Sequence, residues 1–218
     1  MNFTMRPKTQ DWVCYREVYL ENQYDLPESF LPSDTIIDIG ANIGCFAAAC
    51  LARGAGKVVC YEPESSNFAL LRENLAQWPG RTELHEAAVW HNTDPLRLAI
   101  HPDGYSAMHD VISFHGTALG VPVASAVLDT ILLQHQPIRY LKLDCEGAEW
   151  PLLLTSQQLH LPQELAVELH YTFLADGLPS TALTRAKSAL TAAGFTNQTY
   201  RDDPNPVGGN AMLWGRKP

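Results

Sequence analysis

Residues 35–44 read TIIDIGANIG, an apolar run that leads into a turn containing two glycines. The β-branched residues predict a buried strand, and the small-residue segment Cys45–Leu51 predicts a helix directly after the turn. A second strand is predicted over residues 57–62 (KVVCYE), and it ends in the acid Glu62. A strand, glycine turn, helix and second strand with a terminal carboxylate are typical of a nucleoside-cofactor site in a doubly wound α/β sheet.

The spacing of the glycines indicates the kind of cofactor. A dinucleotide fingerprint requires glycines at the first, third and sixth positions. Counting from Gly40, the third residue is Asn42, and Gly44 is one place too early. The spacing therefore favours a cofactor that joins an amino acid to a nucleoside without a phosphate between them. Asp38 would lie near its ammonium group, and Glu62 would accept hydrogen bonds from two ribose hydroxyls. The alternative is a plain strand–turn–helix with Asp38 capping the turn.

Composition indicates one compact domain and limits its partners. The chain has 218 residues, of which 46% are hydrophobic and 18% charged, and its formal net charge is −9. Because no basic run appears, we expect neither a nucleic-acid partner nor an anionic membrane surface. No apolar run is long enough for a transmembrane helix, and residues 1–10 lack the apolar core of a secretory signal. The five cysteines include no Cys-x-x-Cys pair, and a cytoplasmic location is expected.

Strands and helices alternate along the chain, which predicts a mainly parallel sheet. The further predicted elements are helix 65–77, strand 83–89, strand 96–100, helix 127–134, strand 138–144, helix 149–158, strand 165–170, helix 181–193, and an antiparallel strand pair, 195–200 with 211–214. Residues 101–120 are predicted to form a long functional loop, in which His101, His109 and His115 are weaker catalytic candidates. Residues 1–33 are predicted to form either a lid or a helix packed on the main domain, residues 34–218.

A second informative block is YLKLDCEGAE, residues 140–149. Strand alternation places Lys142 and Asp144 on one face, and Glu168 and His170 also share a face of their strand. If the two strands are neighbours, these four ionisable groups converge where ligands bind in open α/β sheets. Because buried charges are costly unless paired, we predict an ion pair of Lys142 with Glu168 or Asp144. Asp144 and His170, at strand ends, are predicted to be functional.

Two further interpretations concern the acids around this block. Glu149 is predicted to cap the first turn of its helix, while a structural and a functional role remain open for Glu146. Asp144, Glu146, Glu168 and His170 have the ligand types of a divalent cation site. Their spacing is not diagnostic of a metal, so a metal-free site is favoured.

The segments IIDIGANIGCFA, VVCYEPESSNFALLRENL and YLKLDCEGAEWPLLL resemble the FkbM family of S-adenosylmethionine-dependent methyltransferases. LAVELH and REVYLENQYDLP extend the resemblance over residues 16–172. The resemblance implies the class I methyltransferase fold, a Rossmann-like, doubly wound sheet of seven strands that is mainly parallel with the last strand antiparallel. It also implies O-methylation of sugar hydroxyls or natural-product scaffolds.

The resemblance implies specific residues for cofactor binding and for the active site. The predicted residues for S-adenosylmethionine, and for its product S-adenosylhomocysteine, are Asp38, Gly40, Ala41, Asn42, Gly44, Glu62 and Pro63. Asp144 and Glu146 are implied to lie in the active site. Because an attacking hydroxyl must lose its proton, we predict His170 as the general base, with Asp144 as its orienter or as an alternative base.

The favoured function is therefore a methyltransferase that acts on a hydroxyl of a small-molecule acceptor. Within that class, amine and carboxyl acceptors stay open as alternatives. Outside it, the alternatives are a nicotinamide-dependent oxidoreductase, which the glycine spacing disfavours, and a cofactor-binding protein without turnover. A homo-oligomer is possible on this sequence.

Overall fold

The computed structural model describes residues 3–99, 110–113, 120–170, 179–202 and 210–218. The helices and strands are, in chain order, α1 (Asp11–Tyr19), β1 (Thr35–Ile39), α2 (Cys45–Ala52), β2 (Lys57–Tyr61), α3 (Ser65–Leu75), β3 (Thr82–His85), β4 (Ala88–Trp90), β5 (Leu96–Ala99), β6 (Asp110–Ser113), β7 (Val121–Val123), β8 (Ser125–Val127), α4 (Leu128–Gln134), β9 (Tyr140–Leu143), α5 (Glu149–Thr155), β10 (Glu164–His170), α6 (Pro179–Ala192), β11 (Asn197–Asp202) and β12 (Asn210–Arg216).

A central sheet of seven strands has the order β11-β12-β10-β9-β1-β2-β3. Its pairings are parallel except for those of β12, which runs antiparallel to both β10 and β11. The predicted α/β fold with an antiparallel last strand is confirmed. The chain order reverses at β1, which has β2 on one side and β9 on the other. Such a switch point leaves a crevice at the carboxyl ends of the strands, where ligands bind in this class of sheet.

The first strand and helix show why the apolar sequence folds in this way. In β1 the isoleucines Ile36, Ile37 and Ile39 are all buried, because both faces of the sheet are covered. Ile36 packs in the core beside α2, and Ile37 packs in the core on the opposite face. The alanine-rich α2 has seven buried residues, and its small side chains let it lie close to the sheet. This packing positions the turn between β1 and α2.

Two predictions about the middle of the chain are wrong. The predicted strand 83–89 is two strands, since β3 joins the central sheet and β4 pairs with β8 in a separate sheet. The break falls at Glu86 and Ala87, which carry no glycine or proline signal. The predicted loop 101–120 contains β6, which pairs antiparallel with β5. His101, His109 and His115 lie outside the described residues.

The remaining predicted helices and strands are present, with ends that differ by a few residues. The antiparallel pairing of the last two strands is confirmed. No helix in the described part of the chain has the length and apolar character needed to cross a bilayer.

The N-terminal segment, residues 3–33, packs on the rest of the molecule through contacts of its helix α1 with α2. Arg6 ties it to α3, because Nη2 donates to Asn67 Oδ1 at 2.7 Å. The indole of Trp214 on β12 donates to the Gln23 carbonyl at 3.1 Å. The expected helix is therefore present, and an opening motion of this segment stays a prediction.

Candidate functional site

A cavity of about 250 Å³ lies at the carboxyl ends of four neighbouring strands. Across the sheet, the strands that reach it are β2, β1, β9 and β10. We call residues 40–45 and 61–63 the β1–β2 side of the cavity. The β9–β10 side is formed by residues 144–146 and 168–170 together with Glu17, Tyr24 and Asn210. Helix α1 closes the cavity from above with Cys14 and Glu17. The structure thus brings both informative sequence blocks to one site.

The turn of the β1–β2 side has a backbone that only glycine tolerates at its first position. Gly40 has φ +76°, Asn42 +50° and Gly44 +94°. A Cβ on Gly40 would lie 1.6 Å from the carbonyl oxygen of Asp144, so no side chain fits there. The Gly40 and Ala41 amides both donate to the Tyr61 carbonyl at 3.0 Å. The turn is thereby held against β2, with bare backbone facing the cavity.

Glu62 follows β2 and is buried, with 5% of its surface exposed. Its Oε2 accepts the Asn42 amide at 2.8 Å, and its Oε1 accepts the Glu64 amide at 2.9 Å. Burial raises the pKa of Glu62 to about 7, although these backbone hydrogen bonds oppose the rise. Asn67 Nδ2 also donates to Oε1, at 3.5 Å. A carboxylate has about four acceptor positions, so roughly one remains for a ligand, on Oε2. Glu62 and Pro63 both line the cavity.

Asp38 lies under the turn and, among the described residues, not in the cavity wall. It is completely buried and stands in register with Lys142 on β9, whose Nζ is 3.2 Å from Asp38 Oδ1. The same Nζ lies 3.3 Å from Asp144 Oδ2 and donates to the Gly40 carbonyl at 2.7 Å. The predicted Lys142–Asp144 pair is present, whereas Glu168 has no ion pair with Lys142 in the part of the chain that the structure describes.

Asp144 is held by groups from two parts of the chain. Its Oδ2 accepts the Tyr24 hydroxyl at 2.7 Å in addition to the ion pair with Lys142. Burial by itself would raise the pKa of Asp144, but Lys142 and His170 outweigh it and lower that pKa. Asp144 therefore stays ionised, which suits an orienting group better than a base. Tyr24 was missed from the sequence, where it was only one of several N-terminal aromatic residues.

His170 lies between two glutamates. Its Nδ1 is 3.1 Å from Glu149 Oε1, and its Nε2 is 3.3 Å from Glu146 Oε2. Burial alone would lower the pKa of His170, but Glu149 and Glu146 hold it well above its ordinary value. Burial also raises the pKa of Glu146 well above its usual range, against the opposing effect of His170. Glu149 stands in the first turn of α5, as predicted, but its oxygens accept the Cys145 and Gly147 amides ahead of the helix and no amide of the first turn among the described residues.

Two more carboxylates complete the β9–β10 side. Glu168 is 8% exposed and accepts hydrogen bonds from Gln23 Nε2, at 2.9 Å, and from Asn210 Nδ2. Burial, with the nearby charge of Asp144, raises the pKa of Glu168 to about 8. On α1, burial raises the pKa of Glu17 to about 7. This part of the cavity is therefore rich in acids that do not all ionise easily at neutral pH.

A divalent cation is a poor match for these groups. Asp144, Glu149 and His170 each place one potential ligand atom within 4.8 Å of the others. This set differs from the predicted one, which had Glu146 and Glu168 in place of Glu149. Glu149 is fully buried and does not belong to the cavity wall among the described residues. Its Oε1 already accepts the Cys145 amide and lies 3.1 Å from His170 Nδ1, so a cation shared by this oxygen and the His170 ring would have to displace the contact between them.

Comparison with known proteins identifies a family. The model of the methyltransferase FkbM domain matches residues 38–187, which is more than half of the chain. No curated protein matches the sequence. An rRNA methylase from Streptococcus thermophilus has 12% identity and a TM-score of 0.50, with 99% of each chain covered.

Two further solved structures align with most of this chain. EvdMO1 has 16% identity and a TM-score of 0.49 over 93% of this chain, which spans 40% of that chain. The N-terminal domain of human METTL16 in complex with SAH has 14% identity and a TM-score of 0.45, covering 99% of this chain and 72% of that one. At 12% identity the rRNA methylase shows the fold and not the substrate.

Proposed function

Because the chain belongs to the FkbM methyltransferase family, whose members depend on S-adenosylmethionine, we propose that it methylates a hydroxyl oxygen of a small molecule, a sugar or a natural-product scaffold. One observation carries the proposal: a single cavity joins the glycine turn and Glu62 to a set of acid–base groups on the neighbouring strands. The family argues against the nicotinamide-dependent oxidoreductase. The acid–base groups favour turnover over passive cofactor binding.

The β1–β2 side has the features that a nucleoside–amino-acid cofactor requires. The Gly40 position has no room for a side chain, so backbone approaches the ligand, and Glu62 keeps an acceptor position for a ribose hydroxyl. Residues 87–89 add an apolar wall against which a base ring can pack. When bound, S-adenosylmethionine supplies an electrophilic methyl group. Asp38 acts in this proposal through Lys142 and the turn, not by direct contact.

On the β9–β10 side we assign the role of proton acceptor to Glu146, with His170 as its partner. The contacts of His170 with two glutamates hold the pKa of its ring well above the ordinary value, which favours the imidazolium, and an imidazolium cannot accept a proton. Glu146 lines the cavity, and the His170 ring 3.3 Å away opposes the rise in its pKa and so favours its ionised form. Only that ionised form accepts a proton, and because its pKa is raised it is a stronger base than an ordinary carboxylate. This assignment replaces the sequence-based proposal of His170 as the base. Asp144 orients the acceptor.

The charge of this side supports a neutral or cationic small acceptor. Glu17, Asp144, Glu146 and Glu168 line the cavity, while Lys142 is already paired with two aspartates. The net charge of −9 disfavours a nucleic-acid backbone. Because the pKa values of Glu17, Glu146 and Glu168 are raised, these acids repel a phosphate increasingly as they ionise with rising pH. Methylation of RNA is stated for other proteins of similar fold, and the charge of this chain argues against it here. A cytoplasmic location and a homo-oligomer stay predictions.

A thermal unfolding experiment tests cofactor binding. S-adenosylhomocysteine at about 100 times its Kd should stabilise the native state by about 2.7 kcal/mol and raise Tm by about 5–10 °C. NADH at the same concentration serves as the control and should leave Tm unchanged. The absence of a shift with S-adenosylhomocysteine would refute the assignment of the cofactor.

A transfer assay with methyl-labelled S-adenosylmethionine tests the acceptor class. The panel contains neutral sugars, aminosugars, sugar phosphates, simple carboxylic acids and RNA. We expect label in neutral sugars or aminosugars. The labelled product should be stable to alkali, and mass fragmentation should place the methyl group on oxygen. Alkali-labile label would indicate a methyl ester, and label in RNA or in sugar phosphates would contradict the charge argument.

A further inference from the structure

We propose that Glu149 is the positioning residue that holds Glu146 and His170 in contact on the β9–β10 side of the cavity. The inference rests on the proposed function, in which Glu146 takes up the hydroxyl proton. Glu149 itself does not line the cavity among the described residues, so it acts through the other two.

The contacts of the Glu149 carboxylate reach both partners at once. Glu149 is completely buried. Its Oε1 accepts the Cys145 amide at 2.6 Å and lies 3.1 Å from His170 Nδ1, while its Oε2 accepts the Gly147 amide at 2.9 Å. The two amides belong to the residues on either side of Glu146. One carboxylate therefore fixes the backbone that carries Glu146 and the ring that faces it.

The backbone at Glu146 shows why such support is needed. Glu146 has φ +52° and Gly147 has φ +97°, so two consecutive residues are left-handed. For a residue with a side chain, this conformation is strained and persists only where the surroundings enforce it. The amide bonds to Glu149 bracket the strained residue. Without them, the turn would lose the contacts that keep the Glu146 side chain directed to His170.

His170 is held by the same helix in a second way. The carbonyl oxygen of His170 accepts the indole N–H of Trp150 at 2.8 Å, while its ring contacts Glu149. Consecutive residues of α5 thus fix the backbone and the side chain of one strand residue. With Nδ1 directed to Glu149, Nε2 is left to face Glu146 Oε2 at 3.3 Å. A carboxylate behind a histidine orients the ring in this manner and stabilises its protonated form.

The test follows the ring nitrogens of His170 by ¹⁵N NMR as a function of pH in the full chain. The groups that face the ring are Asp144, Glu146, Glu149 and Glu168. In Glu149→Gln, which keeps the size and removes the charge, the pKa of His170 should fall by about 1–3, the usual effect of one close charge. Glu164→Gln is the control, because it removes a carboxylate at the far end of the same strand, 3.0 Å from Arg139. It should leave the titration of His170 unchanged.

The outcomes separate this inference from the proposed function. An unchanged His170 titration in folded Glu149→Gln would overturn the inference, even if S-adenosylhomocysteine stabilises the wild type as expected. Equal affinity of wild type and variant for S-adenosylhomocysteine supports it, because Glu149, unlike Glu62, does not line the cavity among the described residues. If Glu149→Gln does not fold, Glu149→Asp is used, and a smaller fall in the pKa of His170 is expected.

A second experiment examines the alternative of a cation at the same residues. The titration is repeated with Mg²⁺ alone, and then with Mn²⁺ alone, which broadens the NMR signals of nearby nuclei. We expect no change in the His170 signals beyond that of a salt control. Saturable broadening of the His170 ring by Mn²⁺, lost in Glu149→Gln, would show a metal between these groups and would overturn the positioning role.

Discussion

The two sides of the cavity are built in different ways. The β1–β2 side comes from one short stretch, residues 38–64, and its contacts are largely those of backbone amides and carbonyls. The β9–β10 side is assembled from α1, the segment around Tyr24, the turn after β9, the end of β10, and Asn210 on β12. Its contacts join titratable side chains that are far apart in sequence.

The difference shows which physical effect determines the properties of each side. The β1–β2 side depends on steric space and backbone conformation, so it should be sensitive to any added atom. The β9–β10 side depends on the balance between burial and neighbouring charge, so it should be sensitive to any lost charge and to pH. Glu62 is the exception, because it belongs to the first side and yet has a raised pKa.

The largest expected effect tests the steric claim. Gly40→Ala should destabilise the protein by about 4 kcal/mol or more, because its Cβ would lie 1.6 Å from the Asp144 carbonyl oxygen. Gly80→Ala is a matched control, since Gly80 has the same φ of +76° and nothing within 4 Å of the added Cβ. Gly80→Ala should lower the free energy of unfolding only by the cost of a left-handed alanine, about 1–2 kcal/mol. Urea unfolding measures both, and equal losses would contradict the steric argument.

The next effect tests the charge claim. Lys142→Met should lower the free energy of unfolding by about 3 kcal/mol, because it leaves Asp38 and Asp144 without their buried cation. Lys57→Met is the control, since Lys57 is 42% exposed in its pair with Glu83 and should lose less than about 1 kcal/mol. The deficit of Lys142→Met should shrink as pH falls, because the two aspartates then become neutral. A loss that is the same at all pH values would indicate packing and not charge.

The smallest effect concerns Glu62, which lies on the β1–β2 side but whose ionisation is governed by burial. Its pKa of about 7 means that it is mostly neutral at pH 6 and mostly ionised at pH 8. If a ribose hydroxyl binds the ionised form, affinity for S-adenosylhomocysteine should rise about tenfold between about pH 6 and pH 8. Isothermal titration calorimetry measures this rise. In Glu62→Gln the affinity should be weaker and nearly independent of pH, and a persisting rise would place the titrating group elsewhere.

The fold was largely predictable because its signals are local. The apolar run of β1, the small residues of α2 and the strand pair at the end of the chain each predict an element that the structure contains. The separation of β3 from β4 was not predictable, because the choice between two sheets depends on which strand each edge meets in space.

The acid–base groups show the same limit at the site. Strand alternation correctly brought Lys142 and Asp144 together, since period two holds within one strand. It could not show that Asp38 shares the lysine, although the parallel register of β1 and β9 places Asp38 opposite Lys142. Glu149 stands three residues after Glu146 at the start of a helix, a position typical of a cap, and only the fold brings His170 to it.

The amino-acid sequence by itself determined the family, the sheet and the glycine turn with its carboxylate, because those depend on neighbours along the chain. The tertiary structure decided which acids stay ionised and which residue stands behind His170. A pKa depends on burial and on charges a few ångströms away, and some of those charges come from segments more than 100 residues apart, as in the Lys142–Asp38 ion pair.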